Sequence, residues 1–300
     1  MKRRVPYLIA FVLLLLTEIY IGLYVRDDFI RPYFGDVLVT VLLCCAVRAV
    51  RPKGLRLLPV YVFLFAVAVE VAQYVDVVAL VGLENNAFIS TIVGRSFSWV
   101  DIHCYAAGCV VFWVAERLGM LLHKRRLMQP LFIELQDGEW PFTYTDHHRH
   151  VARAVVVDKE GTFYFMRADR DDDFGVATVI ETAGGGVEEG EDLSVAIRRE
   201  LKEELGAEVE ILAEIGTVSD YYNLIHRHNI NHYFLCRATA FGDTQLTEDE
   251  IHRFHLSTLA LTYDEAVAEY ERCKNCALGR VIAARELPVL RRAKAMLDAL

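Results

Sequence analysis

The sequence predicts an all-α membrane bundle of about four transmembrane helices followed by a soluble α/β domain, and three observations carry that prediction. Nearly all the long apolar runs lie within residues 5–122. From residue 151 onward, β-branched and aromatic runs bounded by turn residues give way to segments of helical period. Between the two, residues 124–150 hold two prolines, one glycine and scattered aromatics without a clean period, as a domain junction does. The predicted division is a polytopic membrane domain over 1–126, a linker over 127–149 and a soluble domain over 150–300.

Composition narrows the classes. Hydrophobic residues make up 54% of the 300, high for a wholly soluble chain, so the excess has to be local. The formal net charge is -9 and no basic stripe is visible, which excludes nucleic acid as the main partner. Seven cysteines form an odd set without framework spacing, and Cys44, Cys45, Cys104 and Cys109 lie in apolar segments, the pattern of reduced, buried thiols. Cys273 and Cys276 make one C-x-x-C, but zinc needs four ligands and no second pair accompanies them, so they read as helix-face cysteines.

The first apolar run, Val5 to Val25, follows Lys2, Arg3 and Arg4 as a secretory signal would. Its end, Tyr20 to Tyr24, offers no small-residue cleavage site, and its length matches the roughly 20 residues that span a bilayer. Three more spans are predicted at Tyr33–Val50, Leu57–Leu83 and Ile102–Leu122, the second being the shortest. If four helices alternate, the clusters at 2–4, 48–56 and 124–126 share one side, and only Arg26, Arg31 and Arg95 face the other. The positive-inside rule then gives a multi-pass plasma-membrane protein with the lipid bilayer as partner and both termini and the soluble domain cytoplasmic.

Charges at membrane depth cost roughly 2.5–3.5 kcal/mol each, so they face a bundle interior or a polar cavity. Glu18, Asp36, Glu70, Gln73 and His103 fall inside the predicted spans, and Asp101 stands at the edge of the last. Glu70, Gln73, Arg95 and Asp101 are the candidates for a site there; the alternative is that they pair with one another or lie at the interface. The run FIRPYFGDVLVTVLL, the E-x-x-Q at Glu70 and Gln73, and the run GRSFSWVDIHCYAAG resemble the DUF2809 family of bacterial membrane proteins. The later part, with Arg95, Asp101 and Gly108, is also similar to the VanZ-like membrane family. The likeness covers about residues 5–120 and implies a polytopic membrane domain without naming a reaction.

In the soluble domain, ARAVVVDKEGTFYFMR reads as two strands around an Asp-Lys-Glu-Gly turn, and VATVIETA as a third strand ending in Gly184-Gly185-Gly186. A helix follows. Along it Glu200, Glu203 and Glu204 stand at i, i+3 and i+4, so three carboxylates share one face. Crowded carboxylates repel unless a cation sits among them, and hard oxygen ligands suit Mg²⁺ or Mn²⁺. Leu193, Ala196, Ile197, Leu201 and Leu205 form an apolar stripe for packing on the sheet. Gly185 allows a tight entry into the helix and Gly206 a left-handed cap at its end. A further strand candidate, HYFLCRATA, precedes Glu248 and Glu250, and Tyr263 to Leu300 is helical in pattern.

Gly185, Glu191, Arg199, Glu200, Leu201, Glu203, Glu204 and Gly206 fit the Nudix box G-x5-E-x7-R-E-U-x-E-E-x-G-U, with Ala207 where a larger aliphatic is usual. Seven fixed residues at about 7% usage each coincide by chance at roughly 1 in 10⁸ starting points. The domain is therefore identified as a member of the Nudix hydrolase family. The resemblance implies an α/β fold with a mixed sheet sandwiched between helices, and a divalent-metal site (Mg²⁺ or Mn²⁺) at Glu200, Glu203 and Glu204. Gly185 would add a backbone carbonyl or the loop's shape, Arg199 would orient a catalytic glutamate, and Glu191 would brace loop and helix. Glu203 or Glu204 is the first choice for general base, with Glu248 or Glu250 as alternatives.

For substrate, Tyr222, Arg227 and Glu250 are the candidates, Tyr222 with Tyr221, His226 and His228 offering stacking and Arg227 a phosphate contact. The implied function is metal-dependent hydrolysis of a diphosphate linkage in a nucleoside diphosphate joined to another moiety. The alternative is a nucleotide-binding sensor that regulates the membrane domain without turnover, motivated by the fusion itself.

Overall fold

The computed structural model describes residues 4–25, 33–52, 54–75 and 98–300, and the chain separates into two compact units that meet between Leu122 and His123. The first unit holds helices α1 (Val5–Tyr24), α2 (Gly35–Val50), α3 (Leu58–Tyr74) and most of α4 (Trp99–Leu127). Prolines at the first turns of α1 and α3 occupy positions whose N–H groups have no helical partner in any case. Cys44, Cys45, Leu58, Val62 and Phe112 form its core, and these cysteines are free thiols, as expected. Gly108 of α4 lies so close to α2 that a Cβ there would fall 2.5 Å from the Val37 carbonyl.

The expectation of four spans is corrected. Among the described residues, only α1 and α4 are long and apolar enough to cross a membrane. α2 has 16 residues and carries Asp36 and Arg48, and α3 has 17; at 1.5 Å per residue these cover about 24–26 Å of a core about 30 Å thick. The predicted continuation of the third span to Leu83 lies outside the described residues.

The second unit is built on seven strands: β1 (Leu131–Leu135), β2 (His147–Val157), β3 (Phe163–Asp172), β4 (Gly175–Glu181), β5 (Ala207–Tyr222), β6 (Arg227–Phe241) and β7 (Ser257–Leu261). The sheet runs β1-β5-β6-β2-β3-β4, with β7 on β3. It is mixed: β1 with β5 and β2 with β6 are parallel, and the remaining pairs antiparallel. Helix α5 (Leu193–Leu205) follows the glycine loop, the short α6 (Glu248–His252) precedes β7, and α7 (Tyr263–Cys273) and α8 (Ala277–Leu297) complete the chain.

The alternation along β2 sends Ala152, Ala154 and Val156 to one face, where they meet Ala196, Ile197, Leu201 and Leu205 of α5. Val155 and Val157 go to the other face, against Tyr270 of α7 and Ile282, Leu287 and Leu290 of α8. The predicted α/β sandwich of a mixed sheet between helices is thus present in this unit. The Asp158–Gly161 turn joins β2 and β3 as read, with Gly161 at φ +90°.

Two sequence readings need correction. Residues 131–135, assigned to the linker, form β1, an edge strand of only five residues paired parallel to β5. The stretch Ala207–Tyr222, not read as a strand, is the 16-residue β5, whose pairing with β6 shifts register at three places and so breaks the strict alternation.

Candidate active site

Three pieces of backbone make the site: the β2 strand, the glycine loop after β4, and the second half of α5. The loop lies against β2, with Ala152 and Ala154 N–H donating to the Gly185 and Ala183 carbonyls at 2.9 and 3.0 Å, and Val187 N–H to His150 O at 3.1 Å. At Gly184 the backbone has φ +136° and an added Cβ would sit 2.1 Å from the Ala152 carbonyl, so no side chain fits. Helix α5 starts at Asp192, whose carboxylate accepts the Ser194 N–H at 2.8 Å, and stops at Gly206 in the left-handed conformation.

Arg199 organises the face between loop and helix. Its Nε and Nη2 donate to both oxygens of Glu191 at 3.0 and 2.9 Å, a bidentate pair, and Nη2 also donates to the Gly186 carbonyl at 3.0 Å. Its Nη1 reaches Glu200 at 2.8 Å and Glu203 at 3.3 Å. Glu191 in turn accepts the Glu188 N–H at 3.0 Å. Arg199 thus ties Glu191 to the loop and touches Glu200 and Glu203, and it holds the Glu191 carboxyl below its ordinary range.

The three glutamates differ in setting. Glu200 rests its carboxylate directly on Gly185, where a Cβ would fall 2.4 Å from its oxygen, which gives that glycine a steric reason to be there. Glu204 accepts the Gly184 N–H at 2.7 Å. Glu203, with 40% of its side chain exposed, is the most open to water of the pair that Arg199 touches. Burial pushes the Glu204 carboxyl up to about 8 and raises Glu200 as well. Burial outweighs the cations near both carboxylates, and their hard oxygens are the donor chemistry that a small divalent cation takes. Among the described residues, no three His, Cys, Asp or Glu side chains converge closely enough to hold an ion as they stand. Arg199 occupies part of the coordinating capacity of Glu200 and Glu203.

Beside the glutamates runs a cleft of about 150 Å³ that sequence reasoning missed in large part; Arg149, Arg153, Arg170, Arg227 and Arg285 line it together with Gly184, Gly185 and Tyr222. Tyr222 and Arg227, singled out from the sequence, do line this cleft. Tyr221 instead stacks on His228 with ring centroids 4.4 Å apart, and His226 stacks on Tyr144 at 4.0 Å. Glu250 closes the capping box of α6 by accepting the Thr247 N–H at 2.7 Å, and its charge is felt at Glu204. Glu248 pairs with His252 on the exposed side of the same helix.

A buried network underlies the cleft. Arg285, 1% exposed, donates to Asp220, Tyr222, Glu181 and Glu286, while Tyr233 donates to Glu286 at 2.9 Å. Arg153 donates to Asn231 and the Thr182 carbonyl and pairs with Glu181 at 3.0 Å. Burial alone would raise the Glu181 carboxyl, but Arg153 and Arg285 outweigh it and hold the group at about 2. The sequence signal available for this network was an arginine within the apolar β2 run and two buried asparagines, Asn229 and Asn231, in β6.

Of the candidates in the helical unit, Glu70 is buried and accepts the Tyr105 hydroxyl at 2.9 Å and the Ser98 N–H at 3.4 Å. Asp101 lies in the first turn of α4, its N–H donating to Ser98 Oγ at 3.4 Å. Gln73 is half-buried near the end of α3. Arg95 lies outside the described residues. The structure adds an ion pair that sequence reasoning did not find, Arg48 with Glu116 at 2.7 Å, joined by Tyr7.

Residues 147–273 match the NUDIX domain model. For residues 147–273 the box, the fold and this match support a Nudix-type pyrophosphohydrolase, a class that acts on nucleoside diphosphate derivatives in general. Residues 25–109 match a second model, DUF2809, a protein of unknown function, so the chain joins a Nudix domain to a DUF2809 region. Among solved structures, the chain is similar to the E. coli ORF135 protein at 21% identity over 51% of this chain and 93% of that one, with a TM-score of 0.36. It is similar to the MutT NUDIX hydrolase of Burkholderia pseudomallei at 19% identity, over 40% and 86% of the two chains, TM-score 0.34. A NUDIX hydrolase from Nitrosomonas europaea matches at 17% identity, over 44% and 87%, TM-score 0.34. No curated protein matches the chain.

Proposed function

We propose that the chain is a membrane-anchored hydrolase that uses Mg²⁺ or Mn²⁺ to cleave a diphosphate linkage in a nucleoside diphosphate joined to another moiety. The observation that carries this reading is the convergence of Glu200 and Glu204 on Gly184 and Gly185, with Arg199 bridging Glu191, Glu200 and Glu203. Glu200, Glu203 and Glu204 would hold the cation, with Gly185 shaping the loop beneath them. When bound, the cation polarises the phosphoryl oxygen and acidifies a water.

Arg199 keeps Glu200 and Glu203 in a fixed orientation, and the Gly184 N–H does the same for Glu204. Glu203 or Glu204 takes the proton from the attacking water; the openness of Glu203 favours it. The cleft arginines and Tyr222 bind the substrate alongside. Helices α1 and α4 cross the bilayer and leave the Nudix domain on the cytoplasmic face, a placement supported by Arg4 before α1 and by Lys124, Arg125 and Arg126 at the end of α4.

The test is product release by the full chain in detergent from nucleotide-sugars, dinucleoside polyphosphates, ADP-ribose and nucleoside triphosphates, with and without Mg²⁺ or Mn²⁺. The parent turns over at least one class, and Glu203→Gln lowers kcat by about 10²–10⁴, the range for loss of a general base. Tight nucleotide binding without turnover under either metal contradicts it.

A further inference from the structure

Of the five arginines in the cleft, three are spoken for and two are not. Arg153 and Arg285 spend their donors on Glu181, Asp220, Glu286 and neighbouring oxygens, and Arg170 pairs with Asp172. Arg149 and Arg227 make no ion pair with the described residues, and the Nε of Arg227 is buried without a hydrogen-bond partner. They sit on the adjacent parallel strands β2 and β6, where His147 is in register with Arg227 and Arg149 lies two residues on, on the same face of the strand. The Arg149 guanidinium packs against Gly186, where a Cβ would fall 2.6 Å from it, so it is anchored one residue from the glycine that opens the box.

Two guanidinium groups facing one cleft repel each other, and a buried N–H left unbonded carries its full desolvation cost. Burial, Arg227 and Arg153 together lower the pKa of Arg149. Glu200, the carboxylate that offsets this, is already engaged by Arg199. A forked pair of guanidinium groups with unspent donors is the geometry that recognises phosphate oxygens.

We propose that Arg149 and Arg227 form an anion subsite that takes a phosphate group of the substrate beyond the diphosphate linkage that is cleaved. The substrate is then a nucleoside diphosphate derivative whose linked moiety bears a further phosphate. This inference rests on the hydrolase reading for its meaning, but its test needs neither metal nor turnover, so the two fail separately.

The experiment titrates inorganic tripolyphosphate into the full chain in detergent with EDTA present, by calorimetry. The parent shows saturable binding. Arg149→Gln and Arg227→Gln each weaken it by about tenfold, the scale of one lost charge-assisted hydrogen-bond pair, while Asp192→Ala, at the cap of α5 and away from the two arginines, leaves it within about twofold. Melting temperatures of the variants within a few degrees of the parent exclude misfolding. Absence of saturable binding in the parent, or equal affinity in the parent and the folded Arg149→Gln, Arg227→Gln double variant, overturns the proposal.

Discussion

Arg285 is the residue on which the floor of the cleft depends. It is fully buried between Asp220, Glu286 and Glu181, and removing it leaves three carboxylates facing one another in a low-dielectric interior. Loss of one partner from a buried charge network costs about 3–5 kcal/mol, so Arg285→Met lowers the unfolding free energy by that order in a denaturant titration. An effect below 1 kcal/mol contradicts the account of the network. Glu181 gives the pH dependence: its carboxyl is held at about 2 in the folded protein against an ordinary 4.5. A depressed carboxyl stabilises fully above its unfolded value and loses that contribution as pH falls through the folded one. Stability therefore declines from about pH 4.5 toward pH 2, and Glu181→Gln flattens this decline in acid titrations followed by circular dichroism. The box residues were legible because their spacing is local, Glu191 to Gly206 within one loop and one helix. Arg149, Arg153, Arg170 and Arg285 were not, because only the sheet order and the return of α8 bring positions so far apart in sequence to one cleft.

At the scale of elements, helix α5 is the unit that presents the glutamates, and its ends are fixed by local chemistry. Asp192 caps the first turn and Gly206 the last. Asp192→Ala removes the cap and costs about 1 kcal/mol, seen as a lower unfolding midpoint with hydrolysis retained; an unchanged midpoint contradicts the capping role. This helix was readable from its apolar stripe, as were the β2–β3 turn and the helical C-terminus. β1 was not, since five residues with partial burial carry no period to speak of, and β5 was obscured by its three register shifts. The second and third predicted spans were judged on apolar runs, and among the described residues the helices there are 16 and 17 residues long.

The molecule as a whole is two units with separate cores, one of helices around Cys44, Cys45 and Phe112 and one around the mixed sheet. A fragment starting at His123 keeps both faces of the sheet covered, and it is expected to unfold in a single cooperative thermal transition without detergent. Aggregation of that fragment under conditions where the full chain is stable contradicts the independence of its core. The central claim is hydrolysis at the box glutamates, and the most direct measurement is metal-dependent product release by the full chain from the diphosphate panel, parent against Glu203→Gln. Turnover that requires Mg²⁺ or Mn²⁺ and is lost in the variant is the predicted result; turnover that survives Glu203→Gln, or nucleotide binding with no turnover under either metal, contradicts it.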